Sequence, residues 1–374
     1  MSDPAVSASR PTRWGVAAVL GLVGAVAIGV IVMAFVWPAA TAKPQNLPIG
    51  ISGPAASVAA VEKALAAQDP APFALEKVSS RADAVARITE RTLYGAVLLG
   101  DTPEVLVATA AGPAPAQALR AVAAELQSQI DASAQSALIA QLTAISQALA
   151  AGERPTLPDA GTAPRAVPTV HVTDVVPVAA GDPTGAGLAA AAFPLVLGGM
   201  LGGIILTLRV QGAIRRLVGL AAFGVAAGVV IVTVMQTWFG ILAGSWLLNA
   251  AAVALSVTAT GALIIGLAAL LGPIGIGVGA VITLLVANPI AGAAVPSPFL
   301  PSPWGAIGQW FVPGASVTLL RSTSYFPDAA TAAQWLTLAA WLVGGVLLTL
   351  IGHRRTAAEL APAAPEPPTA PATA

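Results

Sequence analysis

Apolar residues run in long unbroken blocks at both ends of the chain and alternate with polar ones in the middle. One block covers residues 16–37. After residue 187 the blocks return at 188–208, 217–235 and 247–270, in a stretch opened by Gly272-Pro273 and closed near Asn288-Pro289, and at 333–351. A membrane-spanning helix needs about 20 apolar residues. The pattern therefore predicts a polytopic α-helical membrane protein with six transmembrane helices in a 1+5 arrangement. No Asp or Glu occurs from Leu188 to Pro327, whereas about a quarter of a soluble domain's residues are charged. The fourth and fifth blocks meet at an uncharged turn, residues 271–275, and read either as two crossings or as a re-entrant hairpin.

Between the blocks, residues 38–186 carry the periodicities of a soluble α/β domain. Short β-like runs cover 47–52, 73–78, 94–99, 104–109 and 170–176. Helical spacing places Val58, Val61 and Leu65 on one face, and Ser80 with Asp83 opens a second helix as a capping box. A long helical pattern spans 113–150, with Leu119, Val122, Leu126, Ile130, Leu138, Leu142, Ile145 and Leu149 on one side. It forms either a rod of about 55 Å or a hairpin. The order βαβαββα–β predicts a small mixed sheet with parallel pairing through the first two crossovers. Residues 154–168 are Pro-rich and read as a linker. Prolines interrupt 293–330, which reads first as a packed connecting loop and, as the alternative, as a short amphipathic element that Trp304, Trp310 and Arg321 would suit in the membrane interface.

Charge sets the orientation. Only 9% of residues are charged and the net charge is zero. Arg10 and Arg13 precede the first block, Arg209, Arg215 and Arg216 fill the turn after the second, and His353-Arg354-Arg355 follow the last. The positive-inside rule puts these in the cytoplasm. Both tails, 1–15 and 353–374, are then cytoplasmic, 38–186 lies outside, and 187–352 forms the rest of the membrane domain of a cell-membrane protein. The tail after residue 360 is Pro/Ala-rich and reads as disordered. Ala40-Thr41-Ala42 resembles a signal cleavage site, but the preceding apolar block exceeds the 7–15 residues of a signal core, so an uncleaved anchor is expected.

Candidate chemistry is sparse. There are no cysteines and two histidines, His171 and His353, so thiol chemistry is excluded and no metal site is expected. The lysines are Lys43, Lys63 and Lys77, none in a phosphate-binding loop, so the chain is not expected to hydrolyse ATP by itself. Gly50-Ile51-Ser52-Gly53 reads as a tight turn. No catalytic constellation, cofactor site or nucleic-acid partner is expected. Asn249, Ser256, Thr258, Thr260, Thr283 and Asn288 lie within or at the ends of the spans. They either bond helix to helix or line a pathway. Gly198, Gly199, Gly202 and Gly203 form two overlapping GxxxG pairs, Gly224 and Gly228 another, and Gly275 and Gly279 a fourth. Such pairs let backbones approach closely, within the chain or across a dimer.

One resemblance follows from particular residues. Asn288-Pro289, Gly292, Pro296, Leu300-Pro301, Trp304, Gly308-Gln309-Trp310, Pro313-Gly314-Ala315, Leu319-Leu320-Arg321 and Tyr325-Phe326 are similar to the segment before the last helix in the ABC-2 type permease superfamily. The nearest branch is that of the YhgE/Pip (phage infection protein) and DUF3533 membrane proteins. Residues 47–99 also resemble the start of their outer domain. The resemblance implies a permease subunit that exports a hydrophobic or lipid-like substrate, as a homodimer or heterodimer with a separate P-loop ATPase near Arg209, Arg215 and Arg216. The tail before the first span and the 209–216 turn are both short for that role. The phage-infection branch suggests an alternative, an envelope scaffold or receptor whose outer domain binds another protein.

Overall fold

The computed structural model describes residues 13–66, 71–152 and 167–359. The start of the N-terminal tail, most of the linker and the tail beyond Leu360 lie outside the described residues.

Five strands form one mixed sheet in the order β2-β1-β3-β4-β5. They are β1 (Leu47–Ser52), β2 (Phe73–Lys77), β3 (Gly95–Leu98), β4 (Glu104–Val107) and β5 (His171–Asp174). β1 pairs in parallel with both β2 and β3, β3 and β4 form the antiparallel hairpin, and β4 pairs in parallel with β5. The first crossover moves one way from β1 and the second the other way. Right-handed connections therefore place α2 (Ala55–Ala66) and α3 (Arg81–Thr89) on opposite faces. Ser80 caps α3 by accepting from the Asp83 amide at 3.2 Å. Gly53 is required where β1 ends: its φ is +149° and a Cβ would overlap the Leu99 carbonyl. Only this last glycine of the Gly50–Gly53 run lies outside the strand. His171 is exposed on the edge strand β5.

Each sheet face carries its own core. One packs Ala84 and Ile88 of α3 over Ala96 and Leu106. The other packs Leu119 and Ala123 of α4 (Pro113–Ala150) over Leu47, Ile49, Val97 and Val105. α4 is a single rod, not a hairpin. Its distal half stands clear of the domain, with Leu138, Ile139, Leu142 and Leu149 each more than half exposed.

Among the described residues five helices are long and apolar enough to cross a membrane: α1 (Trp14–Ala40), α5 (Gly187–Arg209), α6 (Ala213–Val232, extended by a π-helical stretch Thr233–Trp238), α7 (Trp246–Leu271) and α11 (Ala332–Glu359). The chain is thus a membrane-embedded helical protein with a small mixed sheet. The predicted fifth crossing is not among these five. α8 (Pro273–Ala280) and its π-helical continuation Val281–Ala287 together reach about 22 Å, short of a hydrocarbon core of about 30 Å. The chain completes its path to the sheet-domain end in irregular backbone, which is tolerated at such depth only where protein surrounds it.

α7 is the hub, and glycines explain why four helices can touch it. A Cβ at Gly203 of α5 would sit 2.8 Å from the Gly261 carbonyl, and at Gly199 2.9 Å from Thr260 Cβ. Gly228 of α6 lies against Ala250, Gly279 of α8 against Ile264, and Gly275 against the Leu267 backbone. Gly266 of α7 meets Gly345 of α11. Gly202 instead accommodates the Phe223 ring of α6, and Gly198 meets nothing within 4 Å. The overlapping glycine pairs thus mostly serve packing within the chain, with Gly198 the exception.

The segment 288–331 is a packed connection, one of its two expected forms. It contains a short turn, Ser297–Phe299, then α9 (Trp304–Gly308) and α10 (Val312–Tyr325). No amphipathic helix lies on a surface here, because most of α10 is buried, Arg321 included. α10 packs on α7 and α11 through Val312, Ala315 and Leu319. The segment then inserts Phe299 into one core of the sheet domain and Phe326 into the other.

Candidate functional site

The site is the break between α8 and α10. α8 runs antiparallel to α7, so Gly275, Gly279 and Thr283 fall successively beside Leu267, Ile264 and Thr260. Asn288 and Pro289 then leave the helix. α10 begins beside the same Thr260, near the midpoint of α7, and rises to the sheet-domain end. Pro313 in its first turn carries a preset φ and lacks only an N–H that a helix start does not use. Gly314 is required next because a Cβ would overlap the Gly308 carbonyl.

Four cavities follow one another across the bundle at this break. A cleft of about 450 Å³ lies between Phe35 and Pro38 of α1, Ala189 and Phe193 of α5, and Asn288 with Ala294. The Phe35–Phe193 and Trp37–Trp304 edge contacts, 6.3 and 6.1 Å between centroids, frame it. Ala192 separates this cleft from a void of about 20 Å³ lined by Ser256, Thr260 and Ser316. Thr260, Val312 and Pro313 separate that void from one of about 10 Å³ beside Thr283. Leu263 and Trp341 in turn separate the second void from an open groove of about 350 Å³ under Trp310. The walls are mostly apolar, with these hydroxyls, Thr337 in the groove and Asn288 in the cleft.

The expected polar residues divide into three kinds. Ser256, Thr258 and Thr260 donate to their own helix one turn back, at Ala252, Ala254 and Ser256. Asn249, fully buried, is a clamp. Its Nδ2 donates to Gln236 Oε1 and the Ala243 carbonyl at 2.9 and 2.8 Å, and its Oδ1 accepts from Thr323 and Ser324 of α10 at 2.7 and 3.3 Å. Thr283 Oγ1, deeply buried, has no hydrogen-bond partner among the described residues, and neither does Ser316 Oγ. Asn288 lines the cleft. Trp304 and Trp310 are exposed at 42% and 75%, and Trp310 holds α11 by accepting at 2.8 Å from Trp341 Nε1.

Above the break two arginines join the bundle to the sheet domain. Arg321 donates to the Ala111 and Ala293 carbonyls, both at 3.3 Å. Arg91 donates to the Thr318 carbonyl at 3.1 Å and to Ser322 Oγ at 2.6 Å, and lies over the Phe326 ring. Burial lowers the Arg91 pKa, partly opposed by Tyr94. Among the described residues no carboxylate pairs with either guanidinium. Arg91 occupies the left-handed position after α3, φ +61°. Around it the Arg91 and Thr92 amides donate to Ile88 and Arg87, the two bonds of a Schellman cap that normally ends in glycine.

At the opposite end of the bundle Arg209 and Arg215 are exposed, while Arg216 donates to the Val210 carbonyl at 2.6 Å and braces the turn. No group of three His, Asp or Glu side chains that could hold a metal occurs among the described residues.

No pattern in the sequence points to Ser316, Arg91 or Phe299, and Phe326 stands out only within the resemblance. The available signal for α10 was a Pro-opened, proline-free run from 314 to 325, obscured by the prolines before it. Neither a protein-family model, nor a curated protein, nor a solved structure matches this chain.

Proposed function

We propose that the protein is a permease-like membrane transport subunit of ABC-2 type that draws a hydrophobic or lipid-like substrate sideways out of the bilayer. The observation that carries this reading is the row of cavities from the α1–α5 cleft to the Trp310 groove, interrupted by Ala192, by Thr260 with the first turn of α10, and by Leu263 with Trp341. A cleft between two lipid-exposed helices suits a molecule already dissolved in lipid. The basic residues Arg209, Arg215, Arg216 and Arg354 all lie at the end of the bundle away from the sheet domain, which favours that end as cytoplasmic. On this reading the sheet domain is extracytoplasmic, both termini are inside, and a separate P-loop ATPase docks at the 209–216 turn of a dimer. Catalysis by the chain itself forms no part of the mechanism.

The test combines two variants. Ala189→Trp fills the cleft from a half-exposed position and should lower labelling by a photoactivatable lipid at least fivefold without changing the melting temperature. A double Arg209→Glu/Arg215→Glu variant should lose any ATPase that copurifies in mild detergent. Unchanged lipid labelling in Ala189→Trp sinks the transport reading.

One observation favours a second reading, an envelope scaffold or receptor. The distal half of α4 presents Leu138, Leu142 and Leu149 to solvent, and unpaired apolar stripes of this kind mark interaction surfaces. Replacing the three by Gln should abolish binding of a protein partner in that case and leave lipid labelling intact.

A further inference from the structure

The sheet face that carries α4 also carries α2, and a cleft of about 690 Å³ opens between the two helices. That volume is in the range of sites that hold small organic molecules. The floor is Ile49 and Ile51 of β1, Phe73 and Leu75 of β2, and Val97 of β3. Ala60 and Val61 of α2 form one wall, and Ala118, Ala121 and Val122 of α4 the other. Alanines at three of these wall positions leave the space open. A helix laid on a sheet ordinarily buries its apolar stripe. Among the described side chains of α2 only Val58 is buried, and Val61 borders the cleft instead of closing it.

The lining selects its guest. β1 is hydrogen-bonded along both edges, so this part of the floor offers no free backbone group. A peptide laid here would leave its own amides and carbonyls unpaired. The only polar side chains in the lining are Glu125 and Gln129, one turn apart on α4 and bonded to each other at 3.0 Å. They sit at one end. α4 starts beside the bundle, where Gly112 lies against Pro296. By Gln127 it has reached the far end of the domain, accepting from the Val170 amide ahead of β5 at 2.7 Å. Ala118 and Pro44 therefore mark the bundle end of the cleft, and Gln129 lies about 16 Å further along α4.

The bundle end adjoins the cleft between α1 and α5. Val295 and Leu300 line that lipid-facing cleft, and Val295 and Phe299 pack in the same core as Ile49 and Val97. The Lys43 amide, next to Pro44, donates to the Phe299 carbonyl at 3.2 Å. Apolar side chains thus lie on both sides of the junction between the two clefts.

We propose that the α2–α4 cleft is a second binding site, for one aliphatic chain of a membrane lipid. The polar head lies at Glu125 and Gln129, and the chain end points toward Pro44. In this role the sheet domain is the acceptor that holds the lipid after it leaves the bundle. The inference rests on the transport reading only for the route by which the lipid arrives.

The experiment places the full chain in nanodiscs of phosphatidylcholine, doped with a phosphatidylcholine that carries a photoactivatable diazirine at the end of one acyl chain. In the bilayer that chain end lies near the midplane, out of reach of the sheet domain. After illumination, attachment sites are mapped by mass spectrometry. Label should appear on the sheet domain, chiefly about Pro44, Phe73 and Ala118. Ala60→Trp and Ala121→Trp, both at exposed positions, should each lower it at least fivefold without lowering the melting temperature, and Ala121→Ser should keep it. Label in the membrane helices alone overturns the site, whether the cleft is empty or covered by a second copy or another protein. Undiminished label in both Trp variants overturns it too. Should neither Trp variant fold, the map of the unmodified chain decides: label on Pro44, Phe73 or Ala118 supports the site, and its absence from all three overturns it. Ala189→Trp separates the two claims. If it leaves the bundle label unchanged while Ala121→Trp removes the sheet-domain label, the transport reading fails and this site stands.

Discussion

Arg91 shows how much a single residue in this fold can hold under opposing demands. Its left-handed backbone, φ +61°, costs a non-glycine residue roughly 1–2 kcal/mol. Its side chain offsets that through two hydrogen bonds to α10 and a ring contact at 5.2 Å. Truncating it removes the bonds but not the strain unless the replacement is glycine. Arg91→Ala should therefore unfold earlier than Arg91→Gly, by about 1 kcal/mol in thermal or denaturant melts, with both below the parent. The reverse order would show that the backbone is not strained. Glu104 makes a second residue-scale case. Its carboxylate accepts from Arg81 Nε and Nη2 at 2.8 and 3.1 Å and from Thr173 at 2.6 Å. The Arg81 bond, chiefly, holds its pKa below the ordinary 4.5 against a smaller penalty from burial. A depressed carboxylate stabilises the fold above its unfolded pKa, and the contribution is lost as pH falls through the folded value. The Glu104→Gln variant should melt below the parent at pH 7 and approach it at pH 3. An equal gap at both pH values would rule out a charge effect.

At the scale of elements, α7 owes its central place to the small residues of its neighbours more than to its own sequence. The spacing Gly199-xxx-Gly203 was readable as a packing signal, yet Gly198-xxx-Gly202 has the same form and only half of it packs. Spacing places residues on one helix face but does not say which face meets protein. Gly203→Ala should cost about 1–3 kcal/mol, because the new Cβ has to displace the Gly261 backbone of α7. Gly198→Ala should be neutral or slightly stabilising, since nothing lies within 4 Å. Paired unfolding measurements in one detergent separate the two, and similar losses would mean that α5 is rotated from the orientation described. The strands and the Ser80-capped α3 were legible for a different reason. Alternation and capping are local, so they survive without knowledge of the partner. The helix end near Asn288-Pro289 was legible from the proline, but the π-helical stretch Val281–Ala287 was not, because its apolar residues continue the ordinary helical pattern.

At the scale of the whole molecule, the sheet domain is not a self-sufficient module on a membrane stalk. Both of its cores are completed by aromatic residues that arrive long after the domain in sequence, Phe299 at 5% exposure and Phe326 at 2%. Losing a buried phenylalanine from a core costs about 3–5 kcal/mol, comparable to much of the stability of a small domain. A fragment covering residues 43–178, produced without the bundle, should lack a cooperative melt and bind a hydrophobic dye. A sharp two-state transition in that fragment would show that the two aromatics are dispensable. Intact protein bearing Phe326→Ala should retain its membrane helices by circular dichroism while the sheet domain becomes sensitive to protease.

Local and compositional features were decided by the chain alone: the membrane helices through unbroken apolar length, the strands through alternation, and the absence of thiol chemistry through the lack of cysteine. These need no partner, because water, lipid and the residue's own backbone provide the contrast. Tertiary structure alone decided that a proline-broken segment becomes a buried helix and that two distant phenylalanines close the sheet domain. It also decided which buried hydroxyls are left unbonded among the described residues. Each of those depends on what another part of the chain leaves unfilled, and contacts between residues two hundred positions apart leave no periodicity in sequence.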